Sequence, residues 1–392
     1  MEDESVNKKA LTVPGELDVA CLLESFKEER VSAAQMVFQW QQTVKHNLLS
    51  SLHGHQAKTL ALLSWTMAVA GSCCAAAIAA LAPAGMTKPA SVCRRMERLL
   101  ANCRLDAVSA MLQLTRSILR DWGGRSVLLI LDETPKQNHL RCMKLSVAYH
   151  KRCVPLLSIC YAPDRPPMKM PKLVRWMLTQ VAACVPERLT VTLLADRGLC
   201  WPTIIRRCRK IHWHYLLRLQ SDTRIKLADG TEKTVGQLAD RKGMRWFGTD
   251  VQVFKKAHWL QVNVAAVWEP MCREPWLLVT DTHGSYRCCR RYCKRTWCEE
   301  LHRDEKSHGL NWQDSQVNDP AHAQRLVLLM ALATLLAIAT GAKAIKRGLR
   351  RRLFEPRVRR LLSVFQLGRR YLAYAVIHEQ PPNLTRFALP PP

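Results

Sequence analysis

Two mainly apolar runs, each followed by an aspartate, constrain the fold of this chain more than any other feature. The first is Ser126-Val-Leu-Leu-Ile-Leu131 before Asp132, and the second is Leu189-Thr-Val-Thr-Leu-Leu-Ala195 before Asp196. Such runs are typical of strands that are buried on both faces, as in α/β sheets covered by helices. Each aspartate is then expected where its strand ends, although a single strand-end aspartate more often caps a turn or a helix.

A later segment, residues 292 to 306, places reactive side chains along one stripe of a predicted helix. The stripe consists of Tyr292, Arg295, Glu299, His302 and Lys306. At about 100° per residue these positions fall within an arc of roughly 80°, and the other acids of the segment fall outside it. Glu299 is therefore the one carboxylate that lies among cations. The alternative is a solvated helix face on which Glu299 only pairs with Arg295.

Two strand-end aspartates and a helical glutamate together form a carboxylate set that suits a pair of Mg²⁺ ions. Hard cations prefer oxygen ligands, and two ions about 4 Å apart can assist both the attacking and the leaving oxygen of a phosphodiester. Tyr, Arg, His and Lys side chains beside such a set can bind phosphate. The sequence therefore predicts metal-dependent phosphodiester chemistry.

At these residues the chain resembles the DDE transposases of the insertion-sequence-four family. The family signature Tyr-x2-Arg-x3-Glu-x6-Lys is matched without a gap by Tyr292, Arg295, Glu299 and Lys306. The string Leu193-Leu-Ala-Asp-Arg-Gly-Leu199, followed later by His214-Tyr-Leu-Leu-Arg218, is similar to the second-aspartate block of the family. The resemblance extends from about residue 92 to about residue 372.

The resemblance implies Mg²⁺-dependent DNA cleavage at insertion-sequence ends and strand transfer into target DNA, with Mn²⁺ as a substitute metal. The catalytic and metal-binding residues would be Asp132, Asp196 and Glu299. Phosphate contacts near the cleaved end would come from Tyr292, Arg295 and Lys306, and we add His302 from the same stripe. The family also implies a homodimer that holds two DNA ends.

The order of predicted elements indicates an α/β fold with a ribonuclease-H-like catalytic core. Strands are expected near residues 126–131, 142–149, 153–161, 189–195 and 212–219, with helices near 169–184 and 202–210. The last core strand is expected at Trp276-Leu-Leu-Val-Thr280. We predict a helical N-terminal DNA-binding domain at 1–122, core parts at 123–220 and 273–342, a β-strand insertion at 221–272, and basic C-terminal helices at 343–392.

Two further regions offer DNA contacts. In the N-terminal domain, Ser91 is expected to cap a helix that carries Arg94, Arg95 and Arg98 in a helix-turn-helix-like arrangement. In the insertion, an aromatic side chain could stack on an extruded base. The candidates are Trp246, Trp259 and Trp268. A solvated basic helix and core-packed tryptophans are the alternatives.

Composition agrees with a nucleic-acid partner. The chain has 59 Lys and Arg against 32 Asp and Glu, a net charge of +27, and so basic a protein is expected to bind a polyanion. Double-stranded DNA is the most economical partner, although ribosome-binding and membrane-surface proteins carry similar charge. The basic tail from Lys343 to Tyr371 is expected to form amphipathic helices that either face phosphate or keep the surface soluble.

Cysteine usage and apolar runs bear on the compartment. We expect the 16 cysteines to be reduced thiols of a bacterial cytoplasmic protein, associated with the nucleoid when it is bound to DNA. A structural zinc site is not expected, because Cys288, Cys289, Cys293 and Cys298 do not converge on one continuous helix. The apolar run from Leu326 to Ala342 is predicted to be a buried core helix rather than a membrane span.

Two other functions compete with transposition. The first is a non-catalytic DNA-binding protein derived from a transposase, which the presence of all three acids disfavours. The second is a related nuclease that cleaves DNA without joining it.

Overall fold

The computed structural model describes residues 30–83, 88–355, 361–380 and 389, and it is built around one ten-stranded mixed sheet. The strands are β1 (Ser126–Lys136), β2 (Leu140–Tyr149), β3 (Arg152–Tyr161), β4 (Thr190–Ala195), β5 (His214–Arg218), β6 (Arg224–Lys226), β7 (Glu232–Thr234), β8 (Arg245–Val253), β9 (Leu260–Val267) and β10 (Trp276–Thr280).

Helices precede, interrupt and follow this sheet. The α-helices are α1 (Ala33–Gln42), α2 (Gly54–Ala70), α3 (Ala75–Ala80), α4 (Pro89–Ala101), α5 (Ala107–Leu119), α6 (Met170–Ala182), α7 (Pro202–Lys210), α8 (Tyr286–Tyr292), α9 (Trp297–Lys306), α10 (Pro320–Lys346) and α11 (Val364–His378). Short 3₁₀ segments lie at Arg197–Leu199, Val235–Leu238, Lys255–Ala257, Cys293–Thr296 and Trp312–Asp314, and π-helical segments at Thr43–Leu48 and Arg350–Phe354.

The sheet order is β3-β2-β1-β4-β5-β10-β9-β8-β6-β7. Strands β1, β4 and β5 are parallel neighbours, whereas β2 and β3 form an antiparallel meander beside β1. The central residues of the parallel strands are mostly apolar and buried, because helices cover both faces of the sheet. This mixed α/β arrangement, with helices before and after the sheet, is consistent with a ribonuclease-H-like core.

Strand β1 is longer than the sequence predicted. It continues past Asp132 to Lys136, because the residues after Asp132 pair with β2 in an antiparallel ladder. The prediction that the strand ends at Asp132 is therefore wrong, although the parallel pairing with β4 does end at Leu131.

The β-strands predicted between residues 221 and 272 extend the core sheet. Strand β9 pairs with β10, β8 pairs with β9, and β6 and β7 complete the edge. The ladder joins this region to the core instead of leaving it as a detached unit. Trp246, Trp259 and Trp268 are half-buried here, and Lys255 Nζ lies 5.9 Å from the centre of the Trp259 ring.

Helix α10 is the most deeply buried helix of the described chain segments. Pro320 occupies its first turn, and the Asp319 side chain accepts a hydrogen bond from the backbone N–H of His322, as is typical of a helix start. The helix is long and apolar enough to cross a membrane, but 89% of its apolar window is buried inside the protein. It packs against β3, α2 and α11, as a core helix does.

Two glycines allow α10 and α11 to touch. A Cβ atom on Gly368 would lie 1.7 Å from the carbonyl oxygen of Ala337, and one on Gly341 would lie 1.9 Å from that of Val364. Any larger residue at either position would therefore push the helices apart.

The N-terminal helices differ from the prediction in one detail. Helix α4 begins at Pro89 with Lys88 as its N-cap, so Ser91 lies inside the first turn and does not cap the helix. A proline favours the first helical position because its missing N–H would have no partner there. The short helix α3 lies between α2 and α4, and residues 84–87, part of the expected turn, fall outside the described residues.

Candidate active site

Asp132 and Asp196 lie next to each other at two neighbouring parallel strands. The parallel register pairs Leu131 of β1 with Ala195 of β4, and each of these residues immediately precedes an aspartate. Asp132 is mostly buried, with 14% of its side chain exposed, whereas Asp196 is 34% exposed. The sheet therefore presents one shielded and one more accessible carboxylate at the same point.

The segment that carries the third acid is not one continuous α-helix, contrary to the prediction. Helix α8 ends at Tyr292, a 3₁₀ turn spans Cys293–Thr296, and α9 begins at Trp297. The turn contains Lys294 and Arg295 and separates the two helices. Arg295, Glu299 and His302 nevertheless face the aspartates, because the 3₁₀ turn keeps Arg295 within reach of Glu299.

The guanidinium of Arg295 contacts all three predicted catalytic acids. Its Nη1 lies 2.5 Å from Glu299 Oε1, and its Nη2 lies 3.2 Å from Asp132 Oδ1 and 3.7 Å from Asp196 Oδ2. Only 15% of the Arg295 side chain is exposed, and its Nε is buried without a hydrogen-bond partner. Carboxylates from β1, from the residue after β4 and from α9 thus converge on a single cation.

Opposing effects act on the pKa of Arg295. Burial lowers it, but the carboxylate of Asp132 and, more weakly, that of Asp196 outweigh burial and raise the pKa above its ordinary value. The guanidinium is therefore permanently charged and holds the acids together.

Asp132 has two further neighbours on α9. The thiol of Cys298 donates a hydrogen bond to Asp132 Oδ2 at 3.2 Å, and His302 Nδ1 lies 3.7 Å from the same oxygen. Burial raises the pKa of the Cys298 thiol, with the Asp132 charge adding to the shift, so the sulfur stays protonated. Cys298 was considered only as a zinc ligand, because it lies outside the stripe that contains Glu299.

His302 is an uncharged member of the group. Burial, followed by the charges of Lys144, Lys306 and Arg295, lowers its pKa to about 2. Its Nε2 is buried and has no hydrogen-bond partner. The ring therefore fills the space beside Asp132 without adding a charge.

The remaining residues of the predicted stripe occupy different environments. Tyr292 is 5% exposed, and its hydroxyl donates a hydrogen bond to the carbonyl of Ala195 at 3.3 Å, directly before Asp196. Burial raises its pKa well above the ordinary value. Lys306 is half-buried, and burial followed by the Lys144 charge lowers its pKa.

The arginines predicted to contact DNA from the N-terminal domain lie away from the carboxylates. Arg94 and Arg98 are exposed on α4, and Arg95 is half-buried. The structure does not bring these three side chains together with the stripe, and their contact with DNA stays a prediction.

The opposite side of α9 is anchored to the β2–β3 meander by ion pairs that the sequence analysis did not foresee. Lys144 of β2 pairs with Glu305, and each side chain is only 1% exposed. Arg152 of β3 contacts Asp304 at 2.8 Å and Glu300 at 3.1 Å. A lysine within the apolar strand β2 was the available signal, because a buried ammonium requires a partner.

A second buried lysine fixes the loop that follows α9. Lys136 is 1% exposed, and its ammonium donates to the carbonyls of Ser315 and Val317 at 2.6 and 3.1 Å and to Asn318 Oδ1 at 2.8 Å. It therefore connects the end of β1 to the entry of α10.

The chemistry of the donor set suits a hard divalent cation. Within the described segments no group of three or more His, Cys, Asp or Glu side chains is close enough to hold one ion as the side chains stand. The three carboxylates nevertheless share one cationic partner, so oxygen donors from three elements already point to a common position. Hard cations such as Mg²⁺ prefer such oxygen donors.

The mixed sheet with its flanking helices and clustered carboxylates belongs to the α/β class and is consistent with a ribonuclease-H-like core. A model of the transposase DDE domain matches residues 133–336, slightly over half of the 392-residue chain, so the chain belongs to this family. The match includes Asp196 and Glu299 and begins directly after Asp132. No curated protein matches the chain. Membership of the family implies transposition activity and DNA binding.

Proposed function

We propose that this protein is a cut-and-paste DNA transposase of the insertion-sequence-four family, which cleaves the ends of its element and joins them to target DNA. The observation that carries the proposal is the convergence of Asp132, Asp196 and Glu299 on the guanidinium of Arg295. The family match and the net charge of +27 support the same substrate class.

Asp132, Asp196 and Glu299 would hold Mg²⁺, or Mn²⁺ in its place, and the metal would supply Lewis-acid stabilisation of phosphoryl oxygens. The mostly buried Asp132 keeps a fixed geometry because Cys298 and Arg295 both donate to it. Glu299 has the most exposed side chain of the three, at 55%, so it can change rotamer most readily.

Arg295, Lys306 and Tyr292 would serve the phosphates near the cleaved end. A guanidinium presents a fork of N–H donors that matches two phosphate oxygens, and Arg295 lies beside all three acids. Lys306 adds a second cation on the same side. Tyr292 is bonded to the Ala195 carbonyl, so we assign it the positioning of Asp196, while its phosphate contact stays a prediction.

In the joining reaction, the 3′ hydroxyl oxygen of the cleaved element attacks a phosphorus of the target strand. A new P–O bond forms as the target's own P–O bond breaks, so the number of phosphodiester bonds is conserved and no external energy is needed. We further propose that a homodimer holds the two ends, that residues 1–122 form the DNA-binding domain, and that the protein acts in the cytoplasm.

The proposal is tested with a supercoiled plasmid that carries the two ends of the element. Purified wild-type protein should excise and join the element with Mg²⁺ or Mn²⁺, and EDTA should abolish both reactions. Asp196→Ala and Glu299→Gln should bind DNA normally and lose cleavage by several orders of magnitude.

Glu300→Gln is the matched control, because Glu300 neighbours Glu299 on the same helix but pairs with Arg152 and Arg303. It should retain cleavage. DNA binding by the wild-type protein without cleavage in any metal would refute the catalytic proposal and favour a DNA-binding protein derived from a transposase. Cleavage without joining would favour a nuclease.

A further inference from the structure

Two adjoining cavities lie on the face of the sheet that carries α8 and α9. The larger has a volume of about 850 Å³ and is lined by the loop after β10, by α8 and by Lys294. The smaller has a volume of about 360 Å³ and is lined by the start of β1, by Ala148 and by Lys151. Lys294 lines both cavities, and we refer to the two together as the basic trough.

The basic trough is strongly cationic. Arg287, Arg290, Arg291 and Lys294 line the larger cavity and Lys151 lines the smaller, whereas none of the described residues lining either one is acidic. Unpaired like charges so close together repel one another, and a bound polyanion would relieve that repulsion. The composition of the trough therefore selects for an anionic ligand.

One arginine is fixed within the floor of the trough. Arg291 Nη2 donates a hydrogen bond to Thr192 Oγ1 of β4 at 2.9 Å. Arg287, Arg290 and Lys294 are exposed instead, and Lys294 Nζ lies 5.5 Å from the centre of the Trp297 ring. One hydrogen-bonded guanidinium and several exposed cations can contact successive phosphates of a nucleic-acid backbone.

The trough lies close to the carboxylates without including them. Thr192 is in register with Leu128, and these residues precede Asp196 and Asp132 by four positions on their strands. At roughly 3.3 Å per residue this separation is about 13 Å. A duplex held in the trough can therefore reach the carboxylates.

Helix α4, which carries the other candidate DNA contacts, lies on a different side of the carboxylates. Arg325 donates to the Leu100 carbonyl at the end of α4, and the adjacent Gln324 donates to Ser158 of the edge strand β3. Ser158 pairs with Lys144, which pairs with Asp132. Lys151 of the trough lies in the turn between the end of β2 and the start of β3, away from the Lys144–Ser158 pair.

We propose that the basic trough binds the sugar–phosphate backbone of the target DNA duplex. This assignment rests on the proposed function, because joining requires two separate DNA segments at one set of carboxylates. Arginine and lysine side chains that contact phosphates carry no direct information about base sequence, so we expect binding in the trough to be independent of sequence.

The test is the double substitution Arg287→Gln with Arg290→Gln. Affinity for a duplex of arbitrary sequence is measured in EDTA by fluorescence anisotropy at several salt concentrations. The slope of log affinity against log salt should fall by about 2, because about 0.9 counterion is released for each phosphate contact. In the plasmid assay with Mg²⁺, cleaved ends should accumulate and joined products should fall at least tenfold.

The matched control is Lys172→Gln with Arg175→Gln. These two exposed cations have the same spacing of three residues, but they lie on α6, which packs on the other face of the sheet. The control should bind and join DNA as the wild type does.

Three results would overturn the assignment. The first is unchanged duplex affinity and joining in the Arg287 and Arg290 variant. The second is loss of end cleavage together with joining, which would assign the trough to the element end. The third is weaker duplex binding by the Arg287 and Arg290 variant together with a wild-type protein that never cleaves DNA. That result would refute the proposed function and leave the trough as a general DNA-binding surface.

Discussion

The buried ion pair between Lys144 and Glu305 should contribute more to the stability of this protein than its surface ion pairs. Each side chain is 1% exposed, and Glu305 Oε1 already lacks a hydrogen-bond partner. Glu305→Gln removes the charge that compensates the buried ammonium, and an uncompensated buried charge costs about 3–5 kcal/mol. The free energy of unfolding should fall by that amount.

The size of the effect on the melting temperature follows from the chain length. At about 2.1 cal/mol/K per residue, a chain of 392 residues has an unfolding entropy of about 0.8 kcal/mol/K. A loss of 3–5 kcal/mol then lowers Tm by about 4–6 °C. The same variant should also cleave DNA more slowly, because α9 carries Glu299 to the carboxylate cluster.

The coupling energy between Lys144 and Glu305 is measured by urea denaturation and calorimetry of four proteins: the wild type, Lys144→Met, Glu305→Gln and the double variant. The coupling energy should exceed about 2 kcal/mol, because the double variant leaves no buried charge. Glu269→Gln is the surface control, since the Arg245–Glu269 pair is 53% and 28% exposed. It should cost at most about 1 kcal/mol. Equal effects of Glu305→Gln and Glu269→Gln would refute the reasoning.

Three further predictions concern pH and packing. The pKa of His302 is lowered to about 2, so below pH 6.5 this residue is protonated in the unfolded chain but not in the folded protein, and the free energy of unfolding falls as pH falls. His302→Gln should remove about 1.4 kcal/mol of this decrease for each pH unit, as measured by denaturation between pH 6 and 4. Burial raises the pKa of Asp304 to about 6 despite Arg152, so the stabilising contribution of this residue is fully present below about pH 4 and is lost as pH rises through 6. Over that range the free energy of unfolding of the wild type should fall by about 3 kcal/mol relative to Asp304→Asn. A difference between the two proteins that does not depend on pH would contradict this. Gly368→Ala should cost at least about 1–3 kcal/mol because its Cβ would meet the Ala337 carbonyl, whereas Gly123→Ala, which has open space, should change the free energy of unfolding by less than about 0.5 kcal/mol.

The parallel strands and their acids could be predicted because their signals are local. The apolar run before Asp132 or Asp196 indicates that its strand is buried and that the aspartate follows the buried stretch. The parallel register then places the two aspartates side by side. The spacing from Arg295 to Glu299 likewise survives a local change from α-helix to 3₁₀ turn. The α/β core and the transposase DDE domain follow from these signals.

Other features depend on contacts between distant segments, which no local pattern encodes. The continuation of β1 beyond Asp132 results from its pairing with β2. The partner of Lys144 lies on a helix that the chain reaches 161 residues later. The contact of Cys298 with Asp132 joins residues that are 166 positions apart, and no local pattern in the sequence indicates it.

The burial of helix α10 has a consequence for how the protein is made. Ribosomes release the chain from its N-terminus, so α10 emerges before α11, the helix that covers part of its apolar surface. Until α11 is made, the nascent protein presents a segment with the hydropathy of a membrane span. The family match ends at residue 336, inside α10, so a fragment cut at that boundary would interrupt this helix and omit α11 altogether. Expression of the catalytic region should therefore extend through His378 to yield a soluble product.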